Sequence, residues 1–296
     1  MVRSRATAGV ACLLLLLFAS ACGGNARSNA VARGGAPERP ISAKDFDRKN
    51  FDRSTKVDNE WFPLPAGKRL VFEGSTREEG KRVRHRVVFT VTDLTKVIDG
   101  VRTVMIWELD YTEGALVEGE LAFFAQDNDG NVWHLGQYPE EYEGEKFVAA
   151  PAWLAGLKGA KAGVVMQAEP RLGTPSYSQG FAPPPINWVD HAKIYKLGAR
   201  TCVPVRCYTD VLVTREFETG KPDAYQVKYY ARGVGNVRVG WAGSRDKDRE
   251  VLALVKFVHL DPIALRRVRA QVLKIEKRAY RISKDVYRHT SPAAPR

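Results

Sequence analysis

Cysteine and histidine are both scarce in this chain of 296 residues, which contains four of the first and five of the second. The histidines are dispersed, and neither a His-Glu-x-x-His segment nor another zinc-binding spacing occurs. The chain also lacks the Gly-x-Ser-x-Gly turn of serine hydrolases and the Gly-Lys-Ser/Thr end of a phosphate-binding loop. We therefore predict no catalytic residue and no cofactor, and we favour a non-enzymatic protein while leaving an enzyme open.

Long apolar runs are absent as well, and residues 10–18 form a run too short to cross a bilayer as a permanent helix. Two arginines precede this run, and three small residues, 19–21, follow it. A basic start, a short apolar centre and a small-residue exit are typical of a secretion signal. The next residue is Cys22, and small residues that end at a cysteine resemble the lipobox of bacterial lipoproteins.

The lipobox resemblance implies that residues 1–21 are a signal peptide and that Cys22 carries lipid, with acyl chains such as palmitate. Two or more chains hold a protein stably on a membrane. We therefore expect an exported protein anchored to the outer face of a bacterial membrane, with a flexible tether over residues 22–56. An ordinary cleaved signal peptide that happens to contain Cys22 is the alternative.

The net charge of +12 is concentrated at one end of the chain. Residues 261–296 contain ten Lys and Arg against three Asp and Glu, whereas residues 22–260 carry a net charge of only +3. The basicity therefore belongs to a tail, and it does not indicate a nucleic-acid-binding fold. Anionic lipid, an anionic wall polymer or another envelope protein is the partner that such a charge favours outside the cytosol.

Two further cysteines, Cys202 and Cys207, remain as a pair if Cys22 is lipidated and the signal is removed. They flank a four-residue turn between two predicted strands, where opposed positions lie about 4.5–5.5 Å apart at Cα. In an oxidising compartment this geometry predicts a disulfide that staples the hairpin. The spacing is not Cys-x-x-Cys, so a redox function is disfavoured.

Apolar residues alternate with polar ones through most of residues 57–260, as expected of half-buried strands. Turn signals recur every 8–12 residues or so, and Asp99-Gly100 is the strongest hairpin signal among them. No helical pattern intervenes. We predict a mainly β domain over residues 57–260, built as a single antiparallel curved sheet that is barrel- or sandwich-like.

The chain closes with a helical pattern. Asp261-Pro262 is a typical helix start, and apolar residues then recur at spacings of three and four as far as Val286. We predict a basic amphipathic helix over residues 261–289 and a disordered tail over 290–296. The helix docks on its own sheet in the favoured interpretation; a membrane surface or a partner protein remains the alternative.

Several segments resemble a group of exported bacterial proteins that mostly have no assigned function. The first is residues 57–67, Val-Asp-Asn-Glu-Trp-Phe-Pro-Leu-Pro-Ala-Gly, and further matching segments are residues 95–101, 124–133, 210–216 and 228–235. The resemblance implies a β-rich extracytoplasmic domain and brings no catalytic residues. The basic tail helix and the pair Cys202 and Cys207 depart from the pattern.

Residues 127–131, Asp-Asn-Asp-Gly-Asn, suggest a calcium loop with Asp127 and Asp129 as carboxylate ligands. The twelfth position of such a loop requires a bidentate Glu, and here it is Tyr138, so a hairpin turn is favoured and no metal is assigned. Four acids between residues 140 and 145 are interpreted as a solvated turn.

A curved antiparallel sheet can enclose a cavity or offer an aromatic platform. Five of the six tryptophans are candidates to line it: Trp107, Trp133, Trp153, Trp188 and Trp241. The leading hypothesis is a non-enzymatic envelope module that binds an apolar or lipid-like ligand or has a structural function. An envelope enzyme acting on glycan or lipid through unlocated carboxylates is one alternative. An accessory subunit of an envelope complex is another.

Overall fold

A computed structural model describes residues 42–296, so the predicted signal peptide and Cys22 lie outside the described residues. The sheet confirms the predicted fold class: the protein is mainly β, with more than half of the described residues in strands. Its strands are β1 (Lys68–Glu78), β2 (Lys81–Ile98), β3 (Val101–Thr112), β4 (Ala115–Gln126), β5 (Val132–Glu143), β6 (Lys146–Ala149), β7 (Trp153–Leu154), β8 (Lys161–Met166), β9 (Tyr177–Ser178), β10 (Gly180–Phe181), β11 (Asp190–Val203), β12 (Arg206–Glu218), β13 (Tyr225–Ala231), β14 (Gly235–Ala242), β15 (Val251–His259) and β16 (Ala294–Pro295).

Consecutive strands pair as antiparallel hairpins because their turns adopt the left-handed backbone that two-residue hairpins require. Asp99 and Gly100 join β2 to β3 with φ of 47° and 78°, and Glu113 and Gly114 join β3 to β4 with φ of 50° and 87°. The long wall from β1 to β5 is therefore a meander whose order in the sheet is its order in the chain. The predicted Asp99-Gly100 hairpin is confirmed.

The sheet is nearly closed into a barrel. Its order runs β10-β8-β5-β4-β3-β2-β1-β15-β14-β13-β12-β11-β9. The two ends of this order, β9 and β10, are separated in the chain by Gln179 alone. Ser178 opposes His191 of β11, and Gly180 opposes Ala162 of β8, so residues 177–181 bridge the two edge strands. No long edge is left unpaired at this seam.

The seam requires glycine because the backbones meet closely there. A Cβ atom on Gly163 of β8 would lie 2.0 Å from the backbone nitrogen of Gly180 and 2.4 Å from the carbonyl carbon of Gln179. Such contacts do not occur between real atoms, so a side chain at this position would push the two segments apart.

Helix α1 (Pro262–Ile282) packs against β2, and the short helix α2 (Lys284–Tyr287) follows it. Asp261 caps α1 by accepting a hydrogen bond from the backbone of Ala264, as the Asp-Pro start predicts. The predicted apolar seam lies against the sheet, where its central members are buried: Val268, Val272, Ile275 and Ala279. The helix thus docks on its own domain.

Three ion pairs connect α1 to the barrel wall. Lys96 of β2 is fully buried, and its Nζ lies 2.8 Å from Glu276 Oε1, 2.9 Å from Tyr280 Oη and 2.8 Å from the Ser291 carbonyl oxygen. The other two pairs join Arg269 to Asp93 and Arg278 to Glu140.

Glu140 corrects one sequence interpretation, because it is buried and does not belong to a solvated turn. It accepts hydrogen bonds from Tyr138 Oη at 2.8 Å and Tyr142 Oη at 2.6 Å in addition to Arg278. Burial acts against the charge, but these three donors outweigh it and hold the pKa of Glu140 below its usual range.

The segments at the two ends of the described chain, residues 42–56 and 290–296, differ from the sequence-based prediction. Residues 42–56 pack on the barrel and do not form a flexible tether, because Phe46 and Phe51 contact Trp133 with ring centroids 5.4 and 6.3 Å apart. Residues 290–296 are ordered rather than disordered. They end in β16, which pairs with β2, and Arg296 donates a hydrogen bond to the Leu64 carbonyl oxygen at 2.9 Å.

Cys202 and Cys207 form the disulfide that the sequence predicts. They oppose each other at the tip of the β11–β12 hairpin, one on each strand. Over residues 42–296, no helix combines the length and the apolar character needed to cross a membrane.

Candidate functional site in the barrel interior

Strand register decides which side chains face the inside of the barrel. Along β2, His85, Val87 and Phe89 alternate with the exposed Arg84 and Arg86. Because successive strand residues point to opposite faces, the first three face inward.

Four carboxyl groups stand together on this inner wall. Glu108 of β3 opposes Phe89, and Glu120 of β4 opposes Glu108. One step along the strands, Asp110 opposes Glu118. Directly opposed residues share a face with Cβ atoms about 4.5–5.5 Å apart, so like charges there repel each other. The hairpin β3–β4 therefore carries a dense acidic patch inside the barrel.

Strands β12 and β13, which lie across the barrel from β3–β4, supply both an acid and a cation to the interior. On β12 and β13, Lys228 opposes Thr214 and Gln226 opposes Glu216. Lys228 Nζ lies 2.7 Å from Glu216 Oε2, and Tyr230 Oη donates to Glu216 Oε1 at 3.2 Å. This part of the wall is thus internally paired, unlike the β3–β4 patch.

Lys228 shows that the two parts of the wall face a common space. Burial acts against its charge, but Glu216, Glu108 and Glu250 outweigh it and raise the pKa of Lys228. These acids belong to or adjoin β12, β3 and β15, which are spread around the sheet. The Lys228 side chain is nevertheless 28% exposed. A cation surrounded on several sides and still reached by solvent lies in a hollow interior.

We name the inward-facing acids the lumen acids; they are Glu108, Asp110, Glu118, Glu120, Asp190, Glu216 and Glu250. Asp190 belongs to this set because it lies two residues before Ala192, which opposes Glu216. Lys228 and His85 face the lumen acids as cations. The acids outnumber these two cations, so the interior attracts positive charge.

His85 is held as a cation between two lumen acids. Its Nε2 is hydrogen-bonded to Asp110, and its Nδ1 lies 3.0 Å from Glu250 Oε1. Burial acts against the imidazolium form, but the two carboxylates outweigh it and raise the pKa of His85 to about 10. His85 is therefore a buried histidine whose partners are carboxylates of the inner wall.

The β3–β4 acids carry protons more readily than ordinary carboxyl groups. Burial raises the pKa of Glu108 to about 7. Burial, with the charges of Glu108 and Asp110, raises the pKa of Glu118 to about 7, and burial raises the pKa of Glu120 well above its usual range. Burial also raises the pKa of Asp190 to about 6. A cation placed among these groups would lower their pKa values and displace protons.

A cavity of about 250 Å³ lies at one end of the lumen. It is lined by Thr76, Gln226, Gly240, Trp241, Asp246, Asp248 and Glu250. Gln226 and Glu250 are part of the inner wall, so the cavity adjoins the lumen acids. Burial raises the pKa of Asp248. Trp241 is 40% exposed and presents an aromatic ring beside these carboxyl groups. We name this cavity the mouth.

Aromatic rings lie among the inner-wall residues beside the acids. Phe62, from the segment before β1, lies 6.4 Å from Phe89, 5.5 Å from Phe124 and 6.4 Å from Tyr230, measured between ring centroids. His134 stacks on Phe124 at 4.9 Å. Burial lowers the pKa of His134 to about 4, so it is a neutral part of this aromatic floor.

One buried donor near the acids has no partner among residues 42–296. Tyr177 of β9 opposes Ala192, which in turn opposes Glu216, so the three lie in one row across the seam. Tyr177 is 1% exposed, and its hydroxyl makes no hydrogen bond to any described residue. Burial raises the pKa of Tyr177, so the phenol keeps its proton.

The sequence-based site candidates lie away from this interior. Asp127 is buried in its hairpin turn, where it accepts hydrogen bonds from the Asn131 backbone at 2.8 Å and Trp133 Nε1 at 2.7 Å. Asp129 accepts a hydrogen bond from Asn50 Nδ2 at 2.8 Å. The turn thus holds the N-terminal segment on the barrel. Within residues 42–296, no group of three or more His, Cys, Asp or Glu side chains has an arrangement that could hold a metal ion.

The candidate tryptophans divide between several places. Trp241 lies at the mouth, and Trp153 and Trp188 contact His134 at centroid distances of 5.0 and 5.9 Å. Trp133 packs with the N-terminal segment. The lumen acids themselves were missed, although their alternation, Glu-Leu-Asp at 108–110 and Glu-Gly-Glu at 118–120, is a signal for acids on one strand face.

Comparison with known proteins adds little. No family model matches the chain, and no curated protein matches its sequence. A protein of Bacteroides fragilis NCTC 9343, described as exported and with a YmcC-like fold, has a TM-score of 0.40 and 10% identity. A protein of Parabacteroides distasonis ATCC 8503, described as a lipoprotein, has a TM-score of 0.31 and 12% identity. Each likeness covers 68% of this chain and 99% of the other. Scores this low carry no argument about function.

Proposed function

We propose that this protein is a membrane-anchored envelope lipoprotein that binds a small ligand inside its barrel without transforming it. The observation that carries the proposal is the hollow, charged interior, in which Lys228 is enclosed by acids from several strands and still reached by solvent. A barrel used only as a scaffold would be expected to fill its interior with apolar side chains, because burying carboxyl groups costs stability.

The lumen acids change the class of ligand from the one expected. An apolar or lipid-like ligand would leave Glu108, Glu118 and Glu120 buried beneath it without partners, which is unfavourable. A ligand with polar groups would satisfy them, while the aromatic floor would contact its carbon skeleton. The proposal therefore keeps a binding function and replaces the apolar ligand by a polar one.

Gentle extraction followed by native mass spectrometry tests the binding function. We expect a bound small molecule of constant mass that is lost on denaturation. A barrel that is always empty would contradict the proposal, and turnover of an added glycan or lipid would favour the enzyme instead. Constant association with a second protein, without a small molecule, would favour the accessory subunit.

The anchor is tested separately at Cys22. We expect the mature chain to start at Cys22, to carry added acyl mass and to fractionate with membranes. The Cys22→Ser variant should appear in the soluble fraction. An unmodified N-terminus, or parent protein shed freely into the medium, would contradict the anchor and leave the ligand site untouched.

We also propose that the outer face of α1 lies against anionic lipid of the membrane that holds the anchor. Its exposed cations are Arg266, Arg267, Lys274, Lys277 and Arg281, and Lys284 follows at the start of α2. A second cavity, of about 310 Å³, is lined both by Arg48 near the start of the described chain and by residues 289–291 beyond α1. The start of the described chain and the segment after the helix are therefore close together.

Charge reversal on α1 tests this contact. In unacylated Cys22→Ser protein, changing Lys274, Lys277 and Arg281 to Glu should lower partition onto anionic vesicles by about two orders of magnitude or more, since each lost cation contributes about 1 kcal/mol near such a surface and each new carboxylate is repelled by it. The control reverses Lys193, Lys196 and Arg200, which are exposed on β11. Equal losses in both variants would contradict the α1 contact, and binding only to a wall polymer or an envelope protein would favour those partners.

A further inference from the structure

We infer that the ligand of the barrel interior is an organic amine with two or more positive charges. The inference rests on the proposed binding function and names the class of ligand. It depends on three features together: an excess of inward-facing acids, aromatic rings beside them, and a buried tyrosine donor that no described residue satisfies.

The first feature is the distribution of charge along the lumen. At the mouth the carboxyl groups are Asp246, Asp248 and Glu250, and within the barrel they include Glu108 and Glu120. Glu250 joins the two regions, because it lines the mouth and also contacts His85 of the inner wall. Carboxyl groups spread along a passage suit several ammonium groups joined by a chain better than one compact cation.

The second feature is the aromatic lining. Trp241 stands at the mouth, and Phe62, Phe89, Phe124 and Tyr230 form the floor. Ammonium groups are attracted to aromatic faces, and the methylene groups that join them pack well against aromatic carbon. An inorganic divalent cation would use the carboxylates but gain nothing from the rings.

The third feature is Tyr177, whose buried hydroxyl has no hydrogen-bond partner among residues 42–296. A buried polar group without a partner is costly, so it marks a position at which a ligand or water completes the structure. A phenol oxygen can accept a hydrogen bond from an ammonium or amine N–H. The row that joins Tyr177 to Glu216 through Ala192 places the Tyr177 side chain on the same face of the sheet as Glu216.

Lys228 and His85 determine which of the lumen acids remain available to a cationic ligand. Their positive charges already neutralise part of the lumen, with Lys228 paired to Glu216 and His85 paired to Asp110 and Glu250. Glu108, Glu118 and Glu120 make no hydrogen bond or ion pair with a described residue. The positive charge of Lys228 acts on Glu108 and Glu120, where it partly offsets the rise in pKa that burial causes. The added amine is expected to occupy the space beside these three acids.

Titration calorimetry with spermidine tests the inference on the full mature chain in detergent. We expect saturable binding with protons released, because an ammonium group displaces protons from Glu108 and Glu120. The proton count comes from repeating the titration in buffers with different heats of ionisation. A linear diol of the same length, 1,8-octanediol, should bind at least tenfold more weakly.

Two matched double variants locate the binding. Glu108→Gln with Glu120→Gln should weaken spermidine binding at least tenfold and reduce proton release, because only Glu118 of the three acids remains. Glu143→Gln with Glu145→Gln removes the same number of carboxyl groups from the exposed β5–β6 turn and should leave both unchanged. Thermal unfolding of each variant checks that the barrel is intact before binding is compared.

The outcomes separate this inference from the proposed function. If the diol binds as well as spermidine, the interior is a binding site but not one for amines. If Ca²⁺ binds and competes with spermidine at equal strength, the site is a general cation site and the amine is wrong. If spermidine binding ignores Glu108 and Glu120, it occurs on the outer surface, which also overturns the inference. A constantly empty barrel in native mass spectrometry would instead overturn the proposed function.

Discussion

Lys96 is the residue on which the docking of α1 most depends. Its side chain is 0% exposed, and its Nζ is within hydrogen-bond distance of Glu276, Tyr280 and the Ser291 carbonyl oxygen. Its ammonium group also lies 4.9 Å from the ring centroids of Tyr280 and Tyr287. The sequence could not reveal this, because a lysine in an apolar strand usually lies at the surface.

Removing this cation should be far more costly than removing a surface one. Lys96→Met leaves Glu276 buried without its cation, and we expect the free energy of unfolding to fall by about 3–5 kcal/mol. The double variant Lys96→Met with Glu276→Gln should recover much of that loss. The control is Lys158→Met, whose exposed pair with Asp285 should contribute less than about 1 kcal/mol. Denaturant unfolding measures all three, and equal losses at Lys96 and Lys158 would contradict the structure.

Glu108 gives the protein a specific dependence of stability on pH. Its pKa is about 7 in the folded state and 4.5 ordinarily, so between these values the folded state binds more protons than the unfolded chain. The free energy of unfolding therefore falls as pH rises from about 4.5 to 7. The glutamine in Glu108→Gln cannot ionise, so the free energy of unfolding of this variant does not show the fall caused by Glu108.

The variant and the parent should therefore differ little below pH 4.5, and the variant should be more stable by up to about 3 kcal/mol above pH 7.5. Unfolding measured at several pH values gives this difference directly. Other shifted groups, such as His134 and Lys68, occur in both proteins and cancel. A difference that does not change with pH would show that Glu108 is an ordinary carboxyl group.

At the scale of elements, the strands and the turn of the hairpin β3–β4 can be predicted from the sequence, but the register between the strands cannot. Its strands and its Glu113-Gly114 turn follow from alternation and turn chemistry. Without a bulge, Tyr111 opposing Leu116 would place Asp110 opposite residue 117 and Glu108 opposite residue 119. A register shift between Asp110 and Tyr111 instead pairs Asp110 with Glu118 and Glu108 with Glu120. A one-residue slip changes the face of every later residue, and no signal in the sequence marks this bulge.

Helix α1 shows the opposite case, because its spacing of three and four identified the buried seam correctly. Alanine substitutions at two neighbouring residues, one on the buried face of the helix and one on its exposed face, test how the helix is docked. Val272 is fully buried, whereas Leu273 is 38% exposed. We expect Val272→Ala to lower the free energy of unfolding by about 2 kcal/mol through lost contacts and a cavity. Leu273→Ala should change it by less than about 0.5 kcal/mol. Equal effects in thermal or denaturant unfolding would mean that α1 is not docked as described.

At the scale of the whole molecule, the β class and the terminal helix could be predicted because they rest on local periodicity. The closure of the sheet into a barrel could not be predicted. It depends on pairing between β8, β9, β10 and β11, which a Gly- and Pro-rich segment brings together although these strands are well separated in the sequence. That segment, residues 150–185, contains no regular apolar pattern from which its contacts could be predicted. The order at both chain ends was missed for the same reason: Phe51 and Arg296 gain their contacts only from the assembled barrel.

Closure makes Gly163 a test of the entire barrel. An alanine Cβ there would meet the backbone of residues 178–180 at 2.0–2.5 Å, so we expect Gly163→Ala to separate the seam and lower the free energy of unfolding by about 3 kcal/mol or more. The control is Gly240→Ala in β14, where nothing lies within 4 Å of the added carbon. Hydrogen exchange should become faster in Gly163→Ala at residues 161–166 and 177–181, while Gly240→Ala should match the parent. Unchanged protection at the seam would mean that the sheet is an open one, and the lumen acids would then face solvent and lose the environment that the ligand site requires.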